Sequence, residues 1–261
     1  MKKIVVALLM LVVLVACGKK SESGLEGIKA KGKIVVGLDD TFAPMGFKDD
    51  KGEIVGFDID LAREVAKHLG IEAEFKPSEW SGIVLELKSG NIDVVWNGMT
   101  ITEERKKEII FSNPYMNNSQ IIVTLSNSPL NAKADLNGKV VGLQLGSSSF
   151  DAVSADELSK SLKELKKYDT NVEALMDLEA GRVEAVVIDE IVARYYIEQK
   201  EKETNKDIFK VLDGDFGTEE YGVGIRKEDT NLKEAIDKAI DEMKKDGSYD
   251  KVYEKWFGKK G

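Results

Sequence analysis

One arginine, a pair of serines and two aspartates stand where side chains could hold a small polar molecule. Arg105 lies in "WNGMTITEERKKE" (96–108), one turn inside a charged helix that follows a Gly98-Met99-Thr100 step. A guanidinium is a planar fork that grips a carboxylate with two parallel hydrogen bonds, a task lysine performs less well. The helix starting near Thr102 aims its free N–H groups at the same region. A plainer reading also fits, in which Arg105 pairs with Glu104 or Glu108 on a wet helix face and Thr102 caps the helix. Ser147 and Ser148 belong to "GSSS" (146–149), where a helix opens directly after a strand, so they form an anion-receiving end, a serine cap, or both. Asp189 ends the strand "VEAVVID", and ligands of open α/β sheets bind at the carboxyl ends of strands. Glu190 competes with it for that role. Asp39 ends the run "KIVVGLD" (33–39) in the same manner, and Asn97 places a side-chain amide just before Gly98.

The elements that must position these groups repeat a simple pattern. "KIVVGLD" reads as a buried parallel strand, and "FDIDLAREVAKHLG" (57–70) carries Ile59, Leu61, Val65, Ala66 and Leu69 at helical spacing before Gly70 stops it. "IEAEFKP" is a second strand, "SGIVLELKSG" a helix closed by Gly90, and "IDVVWNG" a third strand, giving the β-α-β-α-β alternation of an open α/β sheet. The pattern restarts at "KVVGLQLGSSSFDAV" (139–153) and continues through a helix ending at Gly181, the strand before Asp189 and a further helix. Two such units predict two lobes, each with its own core. "SQIIVTL" (119–125) leads out of the first unit and "EYGVGIR" (220–226) leads back ahead of "NLKEAIDKAIDEMKKDG", as two strands crossing between hinged lobes would.

The ends and the composition narrow the setting. Lys2 and Lys3 precede an unbroken apolar run closing at "LVAC" (14–17), which predicts an export signal over 1–16, lipidation of Cys17 and a flexible tether over 17–27. The run is short for a membrane span, which needs about 20 apolar residues. The protein is therefore expected outside the cytoplasm, held to the membrane as a lipoprotein. Cys17 is the only cysteine and His68 the only histidine, so an internal disulfide and the usual Cys/His zinc sites are excluded, and His68 is expected on a helix surface. With 38 basic and 47 acidic residues the chain has no basic stripe for nucleic acid.

Five separated motifs carry a resemblance: "GFDIDLAREVAKHLG" (56–70), "GMTITEERKK" (98–107), "LNGKVVGLQLGSSS" (136–149), "GRVEAVVIDE" (181–190) and "DGSYDKVYEKWFG" (246–258). Together they resemble the polar amino-acid-binding proteins of ABC uptake transporters. The resemblance implies the two-lobed, type II periplasmic-binding-protein fold with two crossover strands as hinge. Its first lobe would take residues 28–116 and 220–261, the C-terminal segment packing back on the first unit, and its second lobe residues 117–219.

A free amino acid carries a carboxylate and an ammonium, and burying either without a partner is costly. On the resemblance Arg105 grips the carboxylate and Asp189 pairs with the ammonium. Gly98, Met99 and Thr100 supply a carbonyl, an N–H and a hydroxyl; Ser147 and Ser148 serve from the second lobe; Gln144 faces the ligand's side chain, and Phe42 and Trp80 sandwich it. Trp96 reads as packing. Asp39 with the two rings favours a cationic or amide-bearing side chain, with arginine, lysine, glutamine and cystine all open. No cofactor is implied. The partners implied are the amino acid and the transmembrane permease, with the chain acting as a monomer. The rivals are a prephenate-type dehydratase on the same scaffold and a sensory lipoprotein.

Overall fold

The computed structural model describes residues 24–259. The signal peptide, Cys17 and most of the tether expected from the sequence lie outside the described residues. The chain enters through α1 (Gly24–Lys31), then forms β1 (Lys33–Leu38), the short strands β2 (Thr41–Phe42), β3 (Gly46–Lys48) and β4 (Ile54–Val55), and α2 (Phe57–His68). Residues 24–27 are thus the start of a helix and not tether: Gly24, Gly27 and Ile28 are buried. A helix this short and glycine-bearing is marginal alone, so tertiary packing holds it. α2 is amphipathic, burying Phe57, Ile59, Leu61, Ala62, Val65 and Ala66, with Asp58 and Asp60 in its first turn, where the helix dipole favours anions.

Next come β5 (Glu72–Pro77), α3 (Ile83–Lys88), β6 (Val94–Val95), α4 (Glu103–Lys106) and β7 (Ile110–Phe111). The third strand is two residues long because the chain leaves the sheet after Val95 to make the Gly98 turn. α4 is a single turn of four residues, so what it brings to the cleft is its local N–H groups and no sizeable dipole. β8 (Met116–Leu125) then crosses to the second lobe, which contains β9 (Val140–Gln144), α5 (Ser148–Ala155), β10 (Glu164–Tyr168), α6 (Asn171–Glu179), β11 (Ala185–Asp189) and α7 (Glu190–Thr204). β12 (Phe209–Tyr221) returns, followed by β13 (Gly224–Ile225), α8 (Thr230–Asp246) and α9 (Ser248–Phe257).

The first lobe's sheet has the order β5-β1-β6-β13-β7 and the second's β10-β9-β11-β8-β12, with β2-β3-β4 as a small third sheet. Within each main sheet the βα-derived strands run parallel, and the returning strand is antiparallel to its neighbours. β8 and β12 pair antiparallel from Phe209↔Leu125 to Tyr221↔Met116, with register shifts at Val211/Asp215 and Asp215/Thr218. They form the double strand crossing between the lobes. α8 buries Leu232, Ile236, Ala239, Ile240 and Met243, and packs against α1, α2 and α9. Tyr249 of α9 meets the Phe57 ring of α2 edge-on at 6.0 Å, so the C-terminal helices pack back on the first lobe. Among the described residues no helix is long and apolar enough to cross a membrane.

Candidate functional site

The strand ends and turns of the two lobes meet over the crossing strands. On the first lobe, β1 delivers Asp39, whose carboxylate accepts the Thr41 N–H at 2.9 Å and hydroxyl at 2.7 Å. Burial pushes its pKa up, against the pull of these hydrogen bonds. The Asp39 N–H donates to Asn97 Oδ1 at 3.0 Å, so Asn97 braces the strand end. Gly98 follows with φ 58°, and a Cβ there would stand 2.8 Å from the Phe42 ring. Its N–H donates to the buried Asp58 carboxylate at 2.6 Å, which also accepts the Tyr115 hydroxyl at 2.8 Å. Burial raises Asp58 to about 7, opposed by those two donors.

Arg105 makes neither ion pair that the plainer reading gives it. Glu104 pairs with Lys107 and Glu108 with Lys88, while Thr102 does cap the turn by accepting the Arg105 N–H at 3.1 Å. The guanidinium instead donates to Thr100 O at 2.8 Å and, across the cleft, to Gly146 O at 3.1 Å. Its Cζ lies 5.6 Å from the Trp80 ring centre, a cation–π distance. The carboxylates of Asp151, Glu219 and Asp189 act on it and oppose the lowering of its pKa by burial. Gly146 allows this closeness: a Cβ there would lie 3.2 Å from Ser81 Cα of the first lobe.

From the second lobe, Gln144 ends β9 and its amide donates to Asp39 Oδ2 at 2.7 Å and to Asp169 O at 2.9 Å. Ser147 is spent on the local turn: its hydroxyl donates to Gln144 O and accepts the Phe150 N–H that caps α5. Ser147 thus serves as the cap that its position allows, while Ser148 reaches Thr100 Oγ1 at 3.0 Å. Asp189 ends β11, buried, accepting Asn118 Nδ2 at 2.7 Å and the Tyr221 hydroxyl at 2.6 Å. Its pKa is raised by burial and then by the charge of Glu219. Glu190 is committed to Arg194 on α7.

The structure brings Asp39 together with Gln144, and Thr100 together with Ser148 and Arg105, while Asp189 is joined to Thr100 through Asn118 and Glu219. Phe42 and Trp80 are parallel, 4° apart in plane, with ring centres separated by 6.4 Å. The Met99 side chain lies in an apolar cluster with Trp80, Ile83 and Leu87, and its carbonyl accepts the Gly222 N–H at 2.9 Å. Trp96 is buried beside Tyr115. His68 is exposed, as expected, 3.6 Å from Glu242. Sequence reasoning missed Asn118, Gln120, Glu219 and Tyr221, which the crossing strands lay along the cleft floor. Glu219 Oε1 alone accepts from Thr100 Oγ1 at 2.8 Å, Asn118 Nδ2 at 2.8 Å and Gln120 Nε2 at 2.7 Å, with Ser148 Oγ at 3.3 Å. The alternation of side chains along a strand was the one available signal, since Asn118 and Gln120, or Glu219 and Tyr221, share a face. Among the described residues no cluster of His, Cys, Asp or Glu is placed to hold a metal ion.

A cleft whose walls come from two hinged α/β lobes, tied by hydrogen bonds between main-chain and side-chain groups of both, is built to close on a small polar solute. The chain belongs to the bacterial extracellular solute-binding proteins, family 3, whose profile matches residues 34–259. It is 37% identical to the L-cystine-binding protein TcyJ of Escherichia coli K12 over 91% of this chain and 87% of that protein. A solved ancestral arginine-binding protein bound to arginine is 48% identical, with a TM-score of 0.81 over 87% of this chain and 99% of that one. A substrate-binding protein of an ABC uptake transporter from Streptococcus pneumoniae, with bound histidine, is 37% identical with a TM-score of 0.87 over 92% and 98% of the two chains.

Proposed function

We propose that this receptor captures a polar amino acid between its lobes, without chemistry, and delivers it to the permease of an ABC importer. The observation that supports the reading is the hydrogen-bonded path that runs from Arg105 through Thr100, Glu219 and Asn118 to Asp189. Arg105 takes the ligand's carboxylate with the N–H groups not given to Thr100 and Gly146, and Asp189 takes its ammonium. A ligand gripped from both sides favours the closed form because it makes those contacts only there. The lobes are drawn from residues 28–116 with 220–261, and from 117–219. Cys17 anchors the chain by a lipid outside the cytoplasm, and the chain acts as a monomer.

The side-chain end supports a cationic ligand. Asp39 is buried, and no lysine or arginine pairs with it among the described residues. Beside it a cavity of about 270 Å³ is lined by Asp39, Asp40, Glu79 and Asp169 together with Trp80. A guanidinium or ammonium reaching that cavity beside the Trp80 ring would meet the carboxylates of Asp39, Glu79 and Asp169, Asp40 being paired with Lys48. The relatives that bind arginine and cystine support the amino-acid class.

Calorimetry of the full chain against the twenty amino acids and cystine tests the reading. Heat with a few polar ones, the cationic ones first, is expected, and no heat with any of them overturns it. A dehydratase on this scaffold needs a general acid, and the raised pKa of Asp189 is an observation in its favour. Arg105 opposite Asp189 suits a zwitterion better than a dicarboxylate. Turnover of prephenate, followed by absorbance, would decide for the enzyme.

A further inference from the structure

Glu219 and Tyr221 project from the same face of β12 towards the carboxyl end of β11. There the Glu219 and Asp189 carboxylates share one donor: Asn118 Nδ2 donates to Asp189 Oδ1 at 2.7 Å and to Glu219 Oε1 at 2.8 Å. Neither carboxylate forms an ion pair among the described residues. The groups facing them are neutral donors, Tyr221 from β12, Asn118 and Gln120 from β8, Thr100 and Ser148 from the two lobes, and the guanidinium of Arg105, which is turned to two carbonyls. Two carboxylates this close in a partly dry cleft cannot both ionise cheaply without a cation between or beside them.

We propose that Glu219 is the second half of the ammonium receiver, a specificity-determining residue that makes a cationic nitrogen on Cα a condition of binding. This rests on the amino-acid-receptor reading above. An α-ammonium carries three N–H donors, one for Asp189, one for Glu219 and one for a neighbouring oxygen. Asp189, which burial and the neighbouring Glu219 charge push towards its neutral form, lowers the repulsion by holding a proton. The arriving ammonium keeps its own three protons and displaces that proton to solvent, so binding releases it. A 2-oxo, 2-hydroxy or desamino analogue brings the same carboxylate to Arg105 but leaves Asp189 protonated and brings no cation of its own to the two carboxylates, and is rejected. If Glu219 merely fastened Thr100 and Ser148, its loss would weaken every ligand alike.

The test compares amino acids with their desamino analogues by calorimetry on the full chain: L-arginine with 5-guanidinopentanoate, L-lysine with 6-aminohexanoate, L-glutamine with glutaramate. Glu219→Gln keeps the shape and an acceptor oxygen but removes the charge. It should weaken the amino acid that binds by about ten- to a hundredfold, leave its analogue unchanged or tighter, and lower the proton release measured in buffers of different ionisation enthalpy. Equal weakening of both ligands with unchanged proton release overturns the proposal. Should Glu219→Gln fail to fold, Asp189→Asn decides: a preference for the amine of about tenfold or more must survive in it, and its complete loss overturns the proposal. If the wild type binds no amino acid, the receptor reading falls and this inference with it. If the wild type binds one and Glu219→Gln is indifferent, only the inference falls.

Discussion

Replacing Arg105 by lysine separates the fork from the charge. The guanidinium has five N–H donors, and the structure commits one to Thr100 O and one to Gly146 O of the opposite lobe. The rest remain for a ligand carboxylate, which the fork meets with two parallel bonds. A lysine offers three donors on one nitrogen and cannot serve both carbonyls and a bidentate carboxylate together. At least one hydrogen bond to a charged group is lost, about 1.5–3 kcal/mol, or roughly ten- to 150-fold in Kd. Arg105→Ala removes the cation altogether, and truncating one partner of such a pair costs about 2–5 kcal/mol. Calorimetry against the amino acid that binds the wild type should therefore rank wild type, Arg105→Lys and Arg105→Ala in falling affinity. The fold should survive both changes, since Arg105 is only half-buried and α4 is held by the Thr102 cap. Arg105→Lys binding within about threefold of wild type would mean that no second hydrogen bond is made, and the assignment of Arg105 as carboxylate grip would fail.

Two further outcomes are expected. Asp58 is fully buried and its pKa rises from an ordinary 3.8 to about 7, chiefly through burial, so the folded state holds a proton that the unfolded chain has given up between those values. Stability should fall as pH rises across that window, by roughly 4 kcal/mol from this group at most. Urea unfolding at pH 4.5 and 7.5 should show Asp58→Asn gaining on wild type at the higher pH; an unchanged difference would refute the assignment. Cys17→Ser should release the protein from membranes, and an unchanged membrane fraction in cell fractionation would exclude the lipid anchor.

What was legible in the sequence is what local chemistry controls. Arg105, Thr100 and Asp189 stand beside a glycine turn or at the end of an apolar strand, and such positions end up at the mouth of an open sheet whatever the rest of the chain does. The helix at Gly24–Lys31 was illegible because its stability comes from α8, about 200 residues away in sequence. Ser147, Met99 and Gln144 were half legible. Their placement near the cleft followed from the motifs, but which polar group each spends on its own backbone, or on Asp39, depends on how the lobes close.

Glu219 was hidden for a different reason. "GTEEY" offers two adjacent glutamates, and the side-chain period of a strand sends them to opposite faces, so a slip of one residue would exchange them. Between Val211 and Thr218 the pairing of β12 with β8 shifts register twice, which erases any phase carried from the apolar start of the strand. The phase is set again at the other end by Tyr221. Its ring is fully buried, its hydroxyl reaches Asp189, and it pairs with Met116. With Tyr221 fixed inward, Glu219 must face the cleft, and Glu220 is left exposed opposite Asn117. A buried tyrosine two residues downstream therefore selects which carboxylate meets the ligand.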